Sequence, residues 1–123
     1  VLLRFERQTH VKTHLSIKNE GKELTSAQKL QVIFILQEAL SNVRKHARAQ
    51  TVMVNIRNTE QFEMTVMDDG IGIDPKVLEE RKQSHVGLSI MRERAQKVKA
   101  RIEIESELDQ GTTVRLILPK EGR

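Results

Sequence analysis

Two short stretches hold most of the chemical capacity of this chain: Asp68-Asp69-Gly70-Ile71-Gly72 and, upstream, Glu38-Ala39-Leu40-Ser41-Asn42-Val43-Arg44-Lys45-His46. At about 100° per residue, Glu38, Asn42, Lys45 and His46 fall at i, i+4, i+7 and i+8 and share one arc of a helix. A carboxylate there can orient or deprotonate a nucleophile. An amide oxygen is a hard ligand suited to Mg²⁺, and Lys45 can neutralise a phosphate as a point charge. The plain alternative is a solvated helix face, with His46 a hydrogen-bonded structural imidazole rather than a metal ligand. In the second stretch, period two places Asp68 on the inward face with Phe62, Met64 and Val66. An inward carboxylate is costly unless it gains hydrogen-bond donors, and an adenine amino group is one such donor. Gly70 and Gly72 remove Cβ where a flat base or ribose approaches the backbone; the plain alternative is an Asp-Gly turn at a strand end.

Two further pieces belong to the same pattern. In His85-Val86-Gly87-Leu88 a glycine stands at a helix start, where phosphate oxygens can reach unpaired N–H groups; a flexible loop-to-helix junction would look the same. Gly111-Thr112-Thr113 opens a strand with Thr112 on the inward face beside Val114, Leu116 and Leu118. Its hydroxyl can meet Asp68 if the two strands run antiparallel. Each piece is weak alone. In this order, they describe a pocket for a nucleotide and its magnesium ion.

The elements that must position these residues follow from periodicity. Val1 to about Thr9 reads as a helix tail, and Val11–Ile17 as a strand followed by a turn over 18–22. A long helix runs from an N-cap at Thr25 or Ser26 to about Ala47. Thr51–Arg57 and Phe62–Asp68 alternate as strands around the connection at 58–61. Gly70 to about Ser84 reads as a charged loop, Val86–Lys99 as a helix, and Arg101–Ser106 and Thr112–Leu118 as closing strands around a turn at 107–111. The order predicts an α+β, two-layer sandwich: one mixed five-stranded sheet with three helices on one face, the other face partly solvated or covered by another domain.

Composition narrows the function classes. At 123 residues the chain is expected to form one domain, a fragment of a longer protein. No apolar run reaches the length that crosses a bilayer, and the absence of cysteine excludes disulfide and thiolate-metal scaffolds. The net charge of +4, from 21 basic and 17 acidic residues, is mild and scattered, and Trp and Tyr are absent. That balance argues against direct nucleic-acid binding, which favours clustered cations and aromatic platforms.

With these motifs in place, the chain resembles the superfamily of DNA gyrase, Hsp90, histidine kinases and MutL, whose ATP-binding fold is the Bergerat fold. Glu38, Asn42, Lys45 and His46 match the kinase N-box, and Asp68 to Gly72 the first glycine box. His85-Val86-Gly87-Leu88 matches the second glycine box and is followed by Met91-Arg92-Glu93-Arg94-Ala95, a phrase that resembles the nitrate/nitrite sensor kinase subfamily. The resemblance implies an ATP-binding catalytic domain of a two-component sensor histidine kinase, in a cytoplasmic part of a bacterial inner-membrane sensor. Asp68 would bind the adenine amino group, helped through water by Thr112. Asn42 would hold Mg²⁺, Lys45 and the backbone near Gly87 would contact phosphates, and Glu38 would orient the attacking group. His46, Gly70, Gly72, His85 and Leu88 complete the expected nucleotide site. The phospho-accepting histidine would lie in a separate, dimeric helical domain, with a response regulator receiving the phosphoryl group. Within the same superfamily an ATPase or an anti-sigma-type serine kinase is the alternative; outside enzymes, it is a degenerate nucleotide-binding module.

Overall fold

The computed structural model describes residues 1–72 and 88–119. The expectations placed on 73–87, His85 and Gly87 among them, lie outside the described residues. The order is α1 (Leu2–Thr9), β1 (Lys12–Asn19), α2 (Ser26–Asn42) running on into a π-helical turn (Val43–Ala47), β2 (Thr51–Asn58), β3 (Phe62–Asp68), α3 (Leu88–Gln96), β4 (Arg101–Glu107) and β5 (Gly111–Leu118). The strands form one five-stranded sheet in the order β1-β2-β3-β5-β4. β1 pairs parallel with β2, and the other neighbours pair antiparallel. This is the expected two-layer α+β sandwich with a mixed sheet.

Alternation decides which face is covered. Val52, Val54, Met64, Val66, Leu116 and Leu118 are buried on one face of the sheet. Phe5 of α1, Ile35, Leu36, Ala39 and Leu40 of α2, and Leu88, Met91 and Ala95 of α3 join them in a single core. Burying side chains of this size contributes roughly 1.5–3 kcal/mol each before entropy is counted, so the helix layer is held chiefly by this one interface. The opposite face carries exposed Met53 and Met67 in register with one another. There Arg115 reaches Glu63 at 3.6 Å and Glu103 at 3.5 Å.

Local signals set the element ends. Thr25 caps α2: its hydroxyl accepts from the N–H of Gln28 at 3.1 Å, and the Gln28 side chain accepts from the N–H of Thr25 at 2.8 Å. Reciprocal capping of this kind satisfies two N–H groups that the helix itself leaves unpaired. β1 extends to Asn19, past the expected end at Ile17, because Lys18 and Asn19 keep the parallel register with Arg57 and Asn58. α3 stops at Gln96 rather than Lys99; Lys99 adopts φ 58° and the N–H of Ala100 closes on the carbonyl of Ala95 at 2.9 Å. Arg94 of α3 lies 4.3 Å from the ring centre of Phe34 on α2, a cation–π contact that joins the two helices.

The cap yields a direct test. Thr25→Ala is expected to cost about 1 kcal/mol of stability, read as a lower urea midpoint with an unchanged slope.

Candidate functional site

The site is built around the end of β3. Period two carries Asp68 onto the covered face, as expected, and the backbone then turns through Asp69-Gly70-Ile71-Gly72. The carboxylate of Asp68 accepts from the N–H of Gly70 at 2.9 Å, and the backbone N–H of Thr112 on β5 also points to it. Asp69 points elsewhere. Its Oδ1 accepts from the N–H groups of Gln50 and Thr51 at 2.9 and 3.0 Å, fastening the end of β3 to the start of β2.

A reciprocal seating of backbone on backbone holds this loop against the β4–β5 turn. Gly111 adopts φ +92°, and a Cβ there would stand 2.0 Å from the carbonyl oxygen of Asp68. Gly72 adopts φ +77°, and a Cβ there would stand 2.1 Å from the carbonyl oxygen of Glu107. Between them the N–H of Asp109 donates to the carbonyl of Ile71 at 2.7 Å. Both glycines are therefore required by the fold itself, in a backbone region that side chains rarely enter. For Gly72 the neighbour occupying the Cβ position is protein backbone, where a base or ribose was expected.

Between α2, β3, β5 and the start of α3 lies a slot lined by Asn42, Asp68, Gly72, Leu88 and Thr112. Ala39, Val43, Val66, Ile104 and Val114 complete its described walls. The free space is about 430 Å³ with the open mouth included, whereas the room left for the centre of a water molecule is about 20 Å³. It is a narrow cleft with apolar sides, an amide on the helix wall and a carboxylate at the strand end. Such walls suit a flat, weakly polar ring whose edge carries a hydrogen-bond donor, admitted as the walls part.

The two neighbouring carboxyls are driven in opposite directions. Burial pushes Asp68 above the ordinary aspartate value; the N–H groups of Gly70 and Thr112 offset this only in part, and Asp69 adds to the rise. Asp69 is held below the ordinary value, first by the N–H of Thr51, with the N–H of Gln50 assisting. One carboxylate thus carries a net desolvation cost at the slot, while the other is held by its backbone donors.

Five of the expected residues, Asn42, Asp68, Gly72, Leu88 and Thr112, meet at one slot. Gly70 is buried and serves as donor to Asp68. Glu38 is half-buried one turn before Asn42 and is not among the described lining residues. Lys45 is exposed and sits in the π-helical turn, where fewer degrees per residue rotate it away from the arc that an α-helix would give. His46 lies in the same turn. The hydroxyl of Thr112 meets Ser106, at 2.8 Å between oxygens, while its N–H serves Asp68. The expected hydroxyl contact with Asp68 is thus made by the backbone instead. Sequence reasoning passed over Ser106, Asp69 and Ile104. Period two along Ile102, Ile104 and Ser106 was the available signal for two of them; Asp69 had none, because its partners belong to the β2 start.

The opposed carboxyls predict opposite pH behaviour. A raised value means that the folded state disfavours the charge of Asp68, so Asp68→Asn is expected to be more stable than the parent at neutral pH. That gap closes as pH falls through the raised Asp68 value. Stability from Asp69 is present at neutral pH and lost as pH falls below that range, and Asp69→Ala is expected to cost about 1 kcal/mol. Denaturant midpoints from pH 8 to 3 check both. Gly111→Ala is expected to cost about 3 kcal/mol or more, because the new methyl and the Asp68 carbonyl cannot share one position.

Comparisons with known proteins agree with this geometry. Residues 27–122 match the family described as histidine kinase-, DNA gyrase B-, and HSP90-like ATPase. The chain is 32% identical over 114 residues to the sensor protein NarQ homolog of Haemophilus influenzae, covering 91% of this chain and 20% of that protein. It is 34% identical over 90 residues to the nitrate/nitrite sensor protein NarX of Escherichia coli, covering 72% of this chain and 14% of that one. The chain thus spans a fifth or less of the length of these relatives. The fold matches the histidine kinase domain of the blue-light activated histidine kinase from Erythrobacter litoralis EL346, with a TM-score of 0.68 at 19% identity, covering 95% of this chain and 56% of that one. Motif order, slot and family model converge, and the chain belongs to the histidine kinase-, DNA gyrase B- and HSP90-like ATPase family.

Proposed function

We propose that this chain is the ATP-binding catalytic domain of a two-component sensor histidine kinase. It holds Mg²⁺-ATP in the slot and presents the γ-phosphate to a histidine on a separate, dimeric helical domain; an aspartate of a response regulator then receives the phosphoryl group. The observation that carries this reading is the pairing of an inward, donor-seeking Asp68 with the amide of Asn42 across one apolar slot.

The roles follow from position and chemistry. Asp68 accepts from the purine amino group, with Thr112 assisting through water, and Val66, Ile104, Leu88 and Val114 flank the ring. Asn42 offers a hard oxygen at the slot wall. Among the described residues no cluster of His, Cys, Asp or Glu could hold a metal. Mg²⁺ is commonly bound by one or two protein oxygens plus substrate phosphates rather than by an all-protein cage. When bound, the ion would neutralise phosphate charge. Lys45, exposed beyond Asn42, adds a cation on the phosphate side, and the motif matches assign His46, His85 and the backbone at Gly87 to the same nucleotide. Glu38 orients the attacking group. The domain contributes positioning and electrostatics, and the nucleophile comes from its partner domain.

The name of NarX ties that relative to nitrate and nitrite; a parent sensor of the same kind, with this domain on the cytoplasmic side of a membrane, is the corresponding setting for this chain. Among the described residues no helix is long and apolar enough to cross a membrane.

Titration with a fluorescent ATP analogue, with and without Mg²⁺, tests the reading. Asp68→Asn is expected to weaken binding at least about tenfold, as when one side of a buried polar pair is lost. Asn42→Ala should abolish the Mg²⁺ dependence while leaving metal-free binding in place. Unchanged affinity in Asp68→Asn would remove the basis of the assignment. Appreciable ATP hydrolysis by the chain alone would favour an ATPase that activates water through Glu38.

A further inference from the structure

Ser106 stands outside the slot lining but touches it through one atom. It is in register with Thr112, so both side chains rise on the covered face of the sheet. Its Oγ lies 3.2 Å from the carbonyl oxygen of Gly111 and 2.8 Å from Oγ1 of Thr112. Gly72 gives it room, since a Cβ on that glycine would stand 3.2 Å from the same Oγ.

The direction of these two bonds follows from elementary inventory. A carbonyl oxygen only accepts, and a serine hydroxyl has one proton. With the Ser106 proton directed to Gly111, the bond between the two hydroxyls is the one that Thr112 donates. With its single proton drawn away from the slot, Thr112 can meet a ligand only through its lone pairs. Asp68 beside it is also an acceptor when ionised. Among the described residues, the strand end of the slot thus presents two acceptors and no hydroxyl donor.

We propose that Ser106 is a positioning residue that sets the slot's preference for a purine bearing an exocyclic amino group over one bearing a carbonyl at the same position. The inference rests on the nucleotide reading above and adds a specificity determinant to it. A 6-amino group donates to Asp68 directly and toward Thr112 through water, whereas a 6-oxo group brings a further acceptor against both. Discrimination of this sort is strong because the wrong ligand leaves buried polar groups unpaired. Without the Ser106 hydroxyl, Thr112 is free to rotate and donate into the slot, which accommodates the 6-oxo group.

The test is competition of ATP and inosine triphosphate against a fluorescent ATP analogue, on the chain and its variants. Ser106→Ala is expected to narrow the ATP-to-inosine-triphosphate affinity ratio by about tenfold. Ser106→Thr, which keeps the hydroxyl, should retain the ratio. In a Thr112→Val background, Ser106→Ala should leave the ratio where Thr112→Val has put it, the mark of two residues acting as one unit. If the alanine variant does not fold, Ser106→Cys provides the same reading, because a thiol is a poor acceptor. Equal weakening of both nucleotides, or an unchanged ratio in the folded variant, overturns the proposal and leaves Ser106 a strand-joining residue. Failure of the unmutated chain to bind either nucleotide overturns the nucleotide reading and this inference with it.

Discussion

The geometry of the slot depends on two backbone carbonyls seated in the two places where a side chain is missing. The oxygen of Asp68 occupies the space beside Gly111, and the oxygen of Glu107 occupies the space beside Gly72. Each segment therefore limits the path of the other, and the Asp109-to-Ile71 hydrogen bond lies between the two contacts. This arrangement places the N–H of Thr112 at the carboxylate of Asp68 and the hydroxyl of Ser106 at that of Thr112. Positioning comes here from excluded volume, which does not weaken with pH or salt. Hydrogen bonds then select among the few conformations that remain.

The chain places its electrostatic cost where a ligand can relieve it. Asp68 and Asp69 are adjacent in sequence and alike in chemistry, yet alternation gives them opposite surroundings. Asp69, facing out, is satisfied by two N–H groups of the next strand and contributes to the fold. Asp68, facing in, has lost water and regained only part of its solvation from Gly70 and Thr112. A fully satisfied carboxylate at that point would make a more stable protein with less to offer a purine amino group. On the proposed reading, the unrelieved part of the desolvation would favour a ligand that brings a donor.

Much of this was legible before any coordinates. The five strands, the three helices and the inward placement of Asp68 follow from periods of two and 3.6, because a one-sided sheet must bury alternate residues. The residues that proved illegible share a physical reason. Ser106 matters through its register with Thr112, and register is set by turn geometry rather than by residue type. Asp69 matters through N–H groups at the far end of the hairpin, at the start of β2. Gly72 was read as space for a ligand when the space belongs to Glu107, a contact that only tertiary structure creates. The π-helical turn at Val43–Ala47 has no composition signal, and it moves Lys45 off the arc that an α-helix predicts. Sequence pattern reports which way a side chain faces along its own element; it does not report what another element brings to meet it.

The strand order has a bearing on how the molecule assembles. β2 with β3, and β4 with β5, are joined by short connections and can form as independent hairpins, early and on their own. The seam between β3 and β5 joins partners separated by α3 and the segment before it, so its closure carries a larger loop-entropy cost and comes late. The slot straddles that seam. On the proposed reading, a nucleotide held by Asp68 on one hairpin and Thr112 on the other would span this junction. Binding there would stabilise the pairing of β3 with β5 by mass action.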